Sequence, residues 1–320
     1  MKQSKKILVT GASGLVGRAF VERLLKDGDY EPVIAARGAT GFESSCVILP
    51  FDLARQTNIS ISDDIEVVVH AAARVHVMEE PAAEALSEYR KINVEATERL
   101  ARQAVSAGVK RFIFISTIKV NGEETILDQP FTADDKPAPS DPYAVSKYEA
   151  ELALKEIAAT TSLEVVIIRP ALVYGPGVKA NFHRLMKWLG SGLPLPLGAI
   201  KNKRSLLFVD NLVDLIITCV VHPAAGNQIF LACDGYDLST TELLQHLSRA
   251  LSKNNIIIPV SEKLLLKIAS LIGKRSVARR LLGSLQIDIS KNHEVLDWYP
   301  PISVKLGIKN TVDYYLRSRH

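Results

Sequence analysis

The sequence is poor in cysteine. Cys46, Cys219 and Cys233 are its only three in 320 residues, far apart and set in apolar runs. That distribution suits buried, reduced thiols and excludes both a disulfide framework and a cysteine-based metal site. Long hydrophobic runs are also missing near the start. The basic stretch Met1-Lys2-Gln3-Ser4-Lys5-Lys6 is followed by only four residues, Ile7 to Thr10, before Gly11, too few for a signal peptide or an anchor. The expectation is a cytoplasmic protein without stable membrane insertion. Charge is not biased either: 39 basic residues face 35 acidic ones, a net +4. The basic residues are scattered rather than banked in a strip with aromatics, which argues against a nucleic-acid partner. There is no internal repeat and no low-complexity tract. With 47% hydrophobic and 23% charged residues, the chain is an ordinary globular one. Its length allows one large α/β unit or two unequal lobes, each with a core.

Ile7-Leu8-Val9-Thr10 is a short β-type run, and Gly11-Ala12-Ser13-Gly14-Leu15-Val16-Gly17 follows at once, before an amphipathic stretch with Phe20, Leu24 and Leu25. Strand, glycine turn and helix in that order form a dinucleotide site. Gly11 makes the turn, Gly14 lets backbone approach a pyrophosphate at the helix N-terminus, and Gly17 lets helix pack on strand. The spacing is GxxGxxG rather than GxGxxG, and a purely structural turn is the competing explanation. Pro32 to Ala36 reads as a second strand. An NAD-binding chain places an acid on the ribose about 20 residues after the glycines, but here Ala35-Ala36-Arg37 stands there. A cation without a carboxylate leans toward a 2′-phosphate, hence NADPH/NADP with NAD as the alternative, unless Arg37 is simply an exposed loop residue.

Val47-Ile48-Leu49 is a third strand, with Asp52-Leu53 behind it placed to meet an adenine edge. Val67-Val68-Val69 is a fourth, buried one, ending in His70 and the small residues Ala71, Ala72 and Ala73, which let a cofactor lie close. Tyr89 to Ala107 has helical spacing. Val109 to Ile115 is the fifth strand and runs into Ser116-Thr117, at a carboxyl strand end where open α/β sheets bind ligands. Residues 121–142, rich in Asp, Glu and Pro, read as a loop bordering the cleft. Tyr143 and Lys147, four residues apart in a helical run, share a face, so an ammonium can sit beside a phenol and make it a usable acid or base. Val165 to Ile168 is a sixth strand, ending in Arg169-Pro170 and Val173-Tyr174-Gly175-Pro176-Gly177. Strands alternating with helices predict a doubly wound parallel sheet. After Gly177 short helical pieces, such as Phe182–Leu189, alternate with Pro and Gly turns, and Gln228 to Ala232 is placed to return to the sheet. Residues 256–282 form a basic amphipathic run that either touches acidic lipid or presents a solvated helical face.

Taken together, the glycine turn, Ser116-Thr117, Tyr143-x-x-x-Lys147 and Arg169-Pro-x-x-Val-Tyr-Gly-Pro-Gly177 resemble the extended short-chain dehydrogenase/reductase family, in its branch of nucleotide-sugar epimerases, dehydratases and reductases. The resemblance implies a Rossmann-like α/β domain over 1–172, rejoined by about 206–232, and a smaller nucleotide-sugar-binding lobe over 173–320. By it, Tyr143 is the general acid/base, Lys147 holds the nicotinamide ribose and lowers the phenol's pKa, and Thr117, with Ser116 beside it, binds the sugar oxygen. Asn93 supports the site. Ser13, Leu15, Val16, Pro170 and Val173 join the glycines around the cofactor. Arg74, His76, Lys119, Asn181, Leu195 and Arg204 fall on substrate-facing stretches, Arg204 resembling a clamp on the sugar diphosphate; Arg280 is a candidate for a second clamp. Thr117-Ile118-Lys119 lacks the Asp-Glu pair that dehydratases carry after their threonine, which disfavours dehydration. Ala72 to Met78 with Lys119-Val120-Asn121-Gly122 looks most like bacterial reductases of UDP-4-keto-6-deoxy-N-acetylhexosamines, which serve O-antigen and capsule synthesis; the alternative is a UDP-hexose or UDP-N-acetylhexosamine 4-epimerase with tightly bound NAD. A non-catalytic regulator is disfavoured because both Tyr143 and Lys147 are present. The resemblance also implies a homodimer, a UDP-sugar substrate and no metal.

Overall fold

The computed structural model of the chain describes residues 5–55, 58–75, 82–253, 255–271, 273 and 275–318. The chain runs β1 (Lys5–Thr10), α1 (Leu15–Asp27), β2 (Tyr30–Ala36), β3 (Val47–Pro50), β4 (Ile65–His70) and α2 (Ala82–Tyr89), which passes through a π-helical turn (Arg90–Glu95) into α3 (Ala96–Ser106). Then come β5 (Arg111–Ile115), a 3₁₀ turn (Ile118–Val120), α4 (Pro142–Thr160), β6 (Glu164–Pro170), β7 (Leu172–Tyr174), α5 (Ala180–Gly190), β8 (Leu206–Phe208), α6 (Val209–Val221) and β9 (Ile229–Ala232). Five helices end the chain: α7 (Thr240–Ala250), α8 (Glu262–Leu271), α9 (Arg275–Leu282), α10 (Ser290–Leu296) and α11 (Val304–Arg317).

Seven strands form one sheet in the order β3-β2-β1-β4-β5-β6-β9, with every pairing parallel. The chain starts at β1, winds out to β3, then returns to lay β4 on β1's other side. The carboxyl ends of β1 and β4 therefore flank the point where the winding reverses, where doubly wound sheets bind ligands. Helices cover both faces, which is why the central strands read as continuous apolar runs rather than alternating ones. Alternate residues still feed different layers. Ile7, Val9, Val67, Val69 and Ile113 pack with Phe20 and Leu24 of α1 and Leu212 and Ile216 of α6. Leu8, Val68, Phe112 and Phe114 pack on the other side with Leu100 of α3 and Leu154 and Ile157 of α4. A third cluster, with Phe182, Met186, Leu189, Leu195, Phe208, Leu247 and Ile308, lies among the later elements.

The return strand expected at Gln228–Ala232 is β9, parallel to β6. β8, also within 206–232, instead pairs with β7 in a separate two-stranded sheet. The helical run expected over Tyr89–Ala107 is interrupted by the π-helical turn. The run at 256–282 is not one helix: Ile257 bridges to Leu195 in extended backbone, and α8 and α9 follow as two short helices.

Candidate active site

At the end of β1 the backbone of Gly11 takes φ +77°, a conformation that favours glycine. A Cβ there would lie 2.7 Å from backbone atoms of Ala71 and Ala72, and one on Gly17 would lie 2.3 Å from the Gly11 carbonyl oxygen. Both glycines are thus required by the packing of β1, β4 and α1. Gly14 differs: its added Cβ would meet only the Gly11 oxygen at 3.3 Å, so its bareness leaves open space at the start of α1. Gly14 is the N-cap of that helix, gives it no side-chain cap, and is exposed together with Ser13. Uncapped N–H groups and the positive end of the helix dipole make this turn fit a pyrophosphate. Leu15 and Val16 are half-buried and pack inward. Gly17→Ala should force α1 off β1, costing about 3 kcal/mol and weakening dinucleotide binding; urea unfolding and an NAD titration measure both.

Across the reversal, Thr10 Oγ1 lies 2.7 Å from His70 Nδ1, and His70 Nε2 lies 2.9 Å from Thr97 Oγ1. Burial, with Lys147 nearby, drives His70 down to about 3, so its ring stays neutral at pH 7. The Ala72 amide donates to Thr10 Oγ1 at 3.2 Å, which fixes the small-residue strand end. Asn93 sits buried in the π-helical turn, an irregularity frequent at functional sites. Its side-chain oxygen accepts from the Arg74 amide at 2.8 Å, and its amide donates to the Arg74 carbonyl at 3.1 Å and to Ser146 Oγ at 3.0 Å. Asn93 therefore ties the stretch after β4 to α4.

Helix α4 starts cleanly. Asp141 caps it by accepting from the Ala144 amide at 2.7 Å, and Pro142 fills the first turn. Tyr143 and Lys147 project from one face, with Glu151 a further turn along. Lys147 is 1% exposed, and its ammonium stands 3.7 Å from the centre of the Phe114 ring. Burial pulls Lys147 down to about 7, against the pull of Glu151. The expectation that Lys147 lowers the Tyr143 phenol is corrected here: burial first, then Asp141 and Tyr89, push Tyr143 well above the usual phenol range. Tyr89 meets the Tyr143 ring edge-on at 6.0 Å, and the Arg74 guanidinium lies 5.8 Å from the Tyr89 ring. Sequence reasoning passed over Tyr89, which had no motif to mark it.

The Ser116-Thr117 pair divides. Ser116 is buried, and its hydroxyl donates to Glu151 Oε1 at 2.5 Å, so it braces the site rather than facing a sugar, a correction to its expected role. Thr117 is half-buried, and its Oγ1 accepts from the Lys119 amide at 3.4 Å. Behind Ser116 lies a buried ionic network that sequence reasoning missed. Arg169 Nε and Nη2 donate to Glu151 at 3.0 and 2.6 Å, and Nη1 donates to Asn121 Oδ1 at 2.9 Å. An acid on a helix face otherwise occupied by Ala150, Leu154 and Ile157 was the available signal, because a charge is buried only with a partner.

The remaining expected residues separate into several groups. Arg37 is exposed just past the end of β2. Asp52 is half-buried and accepts from the Ala54 amide at 2.9 Å, while Leu53 packs into the sheet's second apolar layer. Ala71, Ala72 and Ala73 are half-buried at the end of β4. Pro170 ends β6, buried, and Val173 lies half-buried in β7. Lys119 forms an ion pair with Asp141, the cap of α4. Arg204 is half-buried and donates to the Gly283 carbonyl at 3.0 Å; Gly283 also lines a cleft of about 560 Å³ with Glu124, Lys267, Arg275 and Arg279. Leu195 is corrected: its side chain is wholly buried in the third core cluster and its backbone bonds to Ile256 and Ile258, so it is core rather than a substrate contact. His76 lies outside the described residues. Asn181 and Arg280 lie in the backbone of α5 and α9, their side chains outside the description.

A doubly wound sheet with a glycine turn at the reversal, and with half-buried Tyr143 and buried Lys147 on the flanking helix, is a Rossmann-like α/β fold. Residues 7–233 match the NAD dependent epimerase/dehydratase family. The chain belongs to that family. It is 46% identical over 321 residues to a UDP-glucose 4-epimerase of Vibrio cholerae, covering 100% of this chain and 98% of that one. It is 25% identical to the N-acetyl-alpha-D-glucosaminyl-diphospho-ditrans,octacis-undecaprenol 4-epimerase of Escherichia coli O157:H7, over 96% of this chain and 94% of that one. Among solved structures it is similar to MoeE5 in complex with UDP-glucose and NAD, with a TM-score of 0.77, 25% identity, and coverage of 98% and 100%.

Proposed function

We propose that the protein interconverts C4 epimers of a UDP-linked hexose or N-acetylhexosamine, using tightly held NAD, in the cytoplasm and as a homodimer. The observation that carries this reading is the full-length 46% identity to the Vibrio cholerae 4-epimerase, on a chain that keeps Tyr143 and Lys147 on one face of α4. NAD, when bound, supplies the acceptor and then the donor of the C4 hydrogen. The Gly11–Gly17 turn holds the pyrophosphate. Tyr143, as a phenolate, accepts the C4 hydroxyl proton as hydride leaves C4 and returns it to the C4 oxygen as hydride comes back, and Thr117 orients that oxygen. Asn93 and the Glu151–Arg169 network keep the strand ends fixed to α4, so that these groups stay aligned. Purified protein with UDP-glucose or UDP-N-acetylglucosamine and no added cofactor should yield the C4 epimer by NMR; no epimer with either substrate would overturn the reading.

The second reading is reduction of a UDP-4-keto-6-deoxy-N-acetylhexosamine with NADPH, for surface polysaccharide synthesis. It is favoured by one observation: Arg37 stands exposed just beyond β2, where the sequence Ala35-Ala36-Arg37 holds a cation in place of an acid. On this reading the guanidinium meets a 2′-phosphate through charge-assisted hydrogen bonds, so Arg37→Ala should lower NADPH affinity by about 10- to 150-fold and leave NADH binding nearly unchanged. Titrating both cofactors against parent and variant decides it. An unaltered preference removes this reading and leaves Arg37 a surface residue.

A further inference from the structure

The segment from residue 256 to the end of α8 carries five of the twenty large hydrophobic side chains exposed among the described residues: Ile256, Ile258, Leu264, Ile268 and Leu271. That is a quarter of them in sixteen residues. Helix α8 has no buried residue at all. Its Leu265 and Leu266 pack against the third core cluster, which is what ties it to the fold. Leu264, Ile268 and Leu271, at i, i+4 and i+7, form a second stripe that is 49%, 46% and 80% exposed. A helix held by its own core needs only the first stripe. The second is flanked by Lys263 and Lys267, and α9 adds Arg275 and Arg279, all four exposed. The acids nearby are Glu262, which accepts from the Lys201 amide at 3.2 Å, and Glu124 across the cleft. The face is therefore apolar in the middle and cationic around it.

We propose that this face docks the protein on an anionic lipid bilayer, with Leu264, Ile268 and Leu271 entering the boundary between headgroups and acyl chains and the four cations meeting lipid phosphates. No described helix is long and apolar enough to cross a membrane, so the association is peripheral, as expected of an amphipathic helix with basic flanks. Charge complementarity selects lipid over a second copy of the chain. In a twofold interface the same patch meets itself, and these cations would then face cations. The cleft of about 560 Å³ shares Lys267, Arg275 and Arg279 with the face, so docking brings that cleft to the membrane surface. The inference does not depend on the C4 chemistry.

Flotation with vesicles tests it. The full chain should bind vesicles of phosphatidylethanolamine and phosphatidylglycerol about tenfold or more better than phosphatidylcholine vesicles at low salt, and the difference should shrink in high salt. Leu264→Ser/Ile268→Ser/Leu271→Ser should reduce binding to the phosphatidylcholine level, with melting temperature and NAD affinity as in the parent. Lys263→Glu, which leaves the apolar stripe intact, should weaken binding about fivefold or more. Equal binding of the parent to both vesicle types would overturn the proposal, as would a triple variant that binds like the parent. So would a triple variant that sediments as a smaller species than the parent, since the stripe would then be covered by a second copy or another protein chain.

Discussion

Tyr143→Phe is expected to lower kcat by about 10²- to 10⁴-fold, the usual worth of a positioned general acid, while folding and dinucleotide affinity stay at parent levels. The reason lies in the environment of the hydroxyl. Burial, Asp141 and Tyr89 hold the phenol well above its usual range, so returning a proton to the C4 oxygen is its easy step and accepting one from the C4 hydroxyl is its demanding step. To accept that proton the phenol needs a cation beside it, and Lys147, one turn along α4, is the group placed to provide one. Lys147 titrates near neutrality because it is buried against Phe114, which predicts that proton acceptance by Tyr143 weakens as the pH rises past about 7 and the ammonium is lost. The phenylalanine ring keeps the edge contact with Tyr89 and removes only the oxygen, so a stability loss within about 1 kcal/mol should accompany the rate loss. Steady-state kinetics beside thermal melting and an NAD titration check all three quantities. A variant with near-parent kcat would mean that another group transfers the proton.

Much of this site was readable before any coordinates, for identifiable reasons. The glycine turn announced itself because Gly11 and Gly17 have no room for a Cβ, and only glycine in that register resolves the clash. Tyr143 and Lys147 share a helical face by periodicity alone, and Pro142 marked where the helix begins. Other features left no local trace. The π-helical turn at Arg90–Glu95 adds one residue to a turn, which a 3.6-residue periodicity absorbs. Ser116 and Thr117 separate at the turn after β5, where extended backbone at Thr117 gives way to a 3₁₀ turn; two adjacent hydroxyls look equivalent in sequence, yet one bonds Glu151 and the other the Lys119 amide. Leu195, in a run of leucines, prolines and glycine, reads as a flexible cleft edge. It is core because residues 256–258, sixty positions away, return to bond its backbone. Long-range pairings of that kind have no signature in a single sequence.

The second large effect concerns the pair beneath the site. Glu151 and Arg169 are each at most 1% exposed, and they bond each other twice, with Ser116 and Asn121 completing the set. Removing one member leaves the other as an uncompensated buried charge, so Glu151→Ala or Arg169→Ala should each destabilise the fold by about 3–5 kcal/mol. Against a total stability of roughly 5–15 kcal/mol, either change brings a domain of ordinary stability close to unfolding at growth temperature. The charge, not the lost packing, is the cause, and a double variant separates the two. Glu151→Leu with Arg169→Met removes both charges and keeps much of the volume, so it should recover part of the loss. Recovery should stop short of the parent by about 1–3 kcal/mol for each of the Ser116 hydroxyl and the Asn121 carbonyl, which lose their partners. Asn121 also donates to the Thr132 carbonyl at 2.9 Å, so its side chain stays in place with one oxygen unsatisfied, and the residual cost is attributable to that oxygen and to Ser116. Urea unfolding of the parent, the two single variants and the double variant gives all four free energies. If the double variant were no more stable than the worse single one, packing of the arginine stem rather than charge compensation would be what the pair contributes.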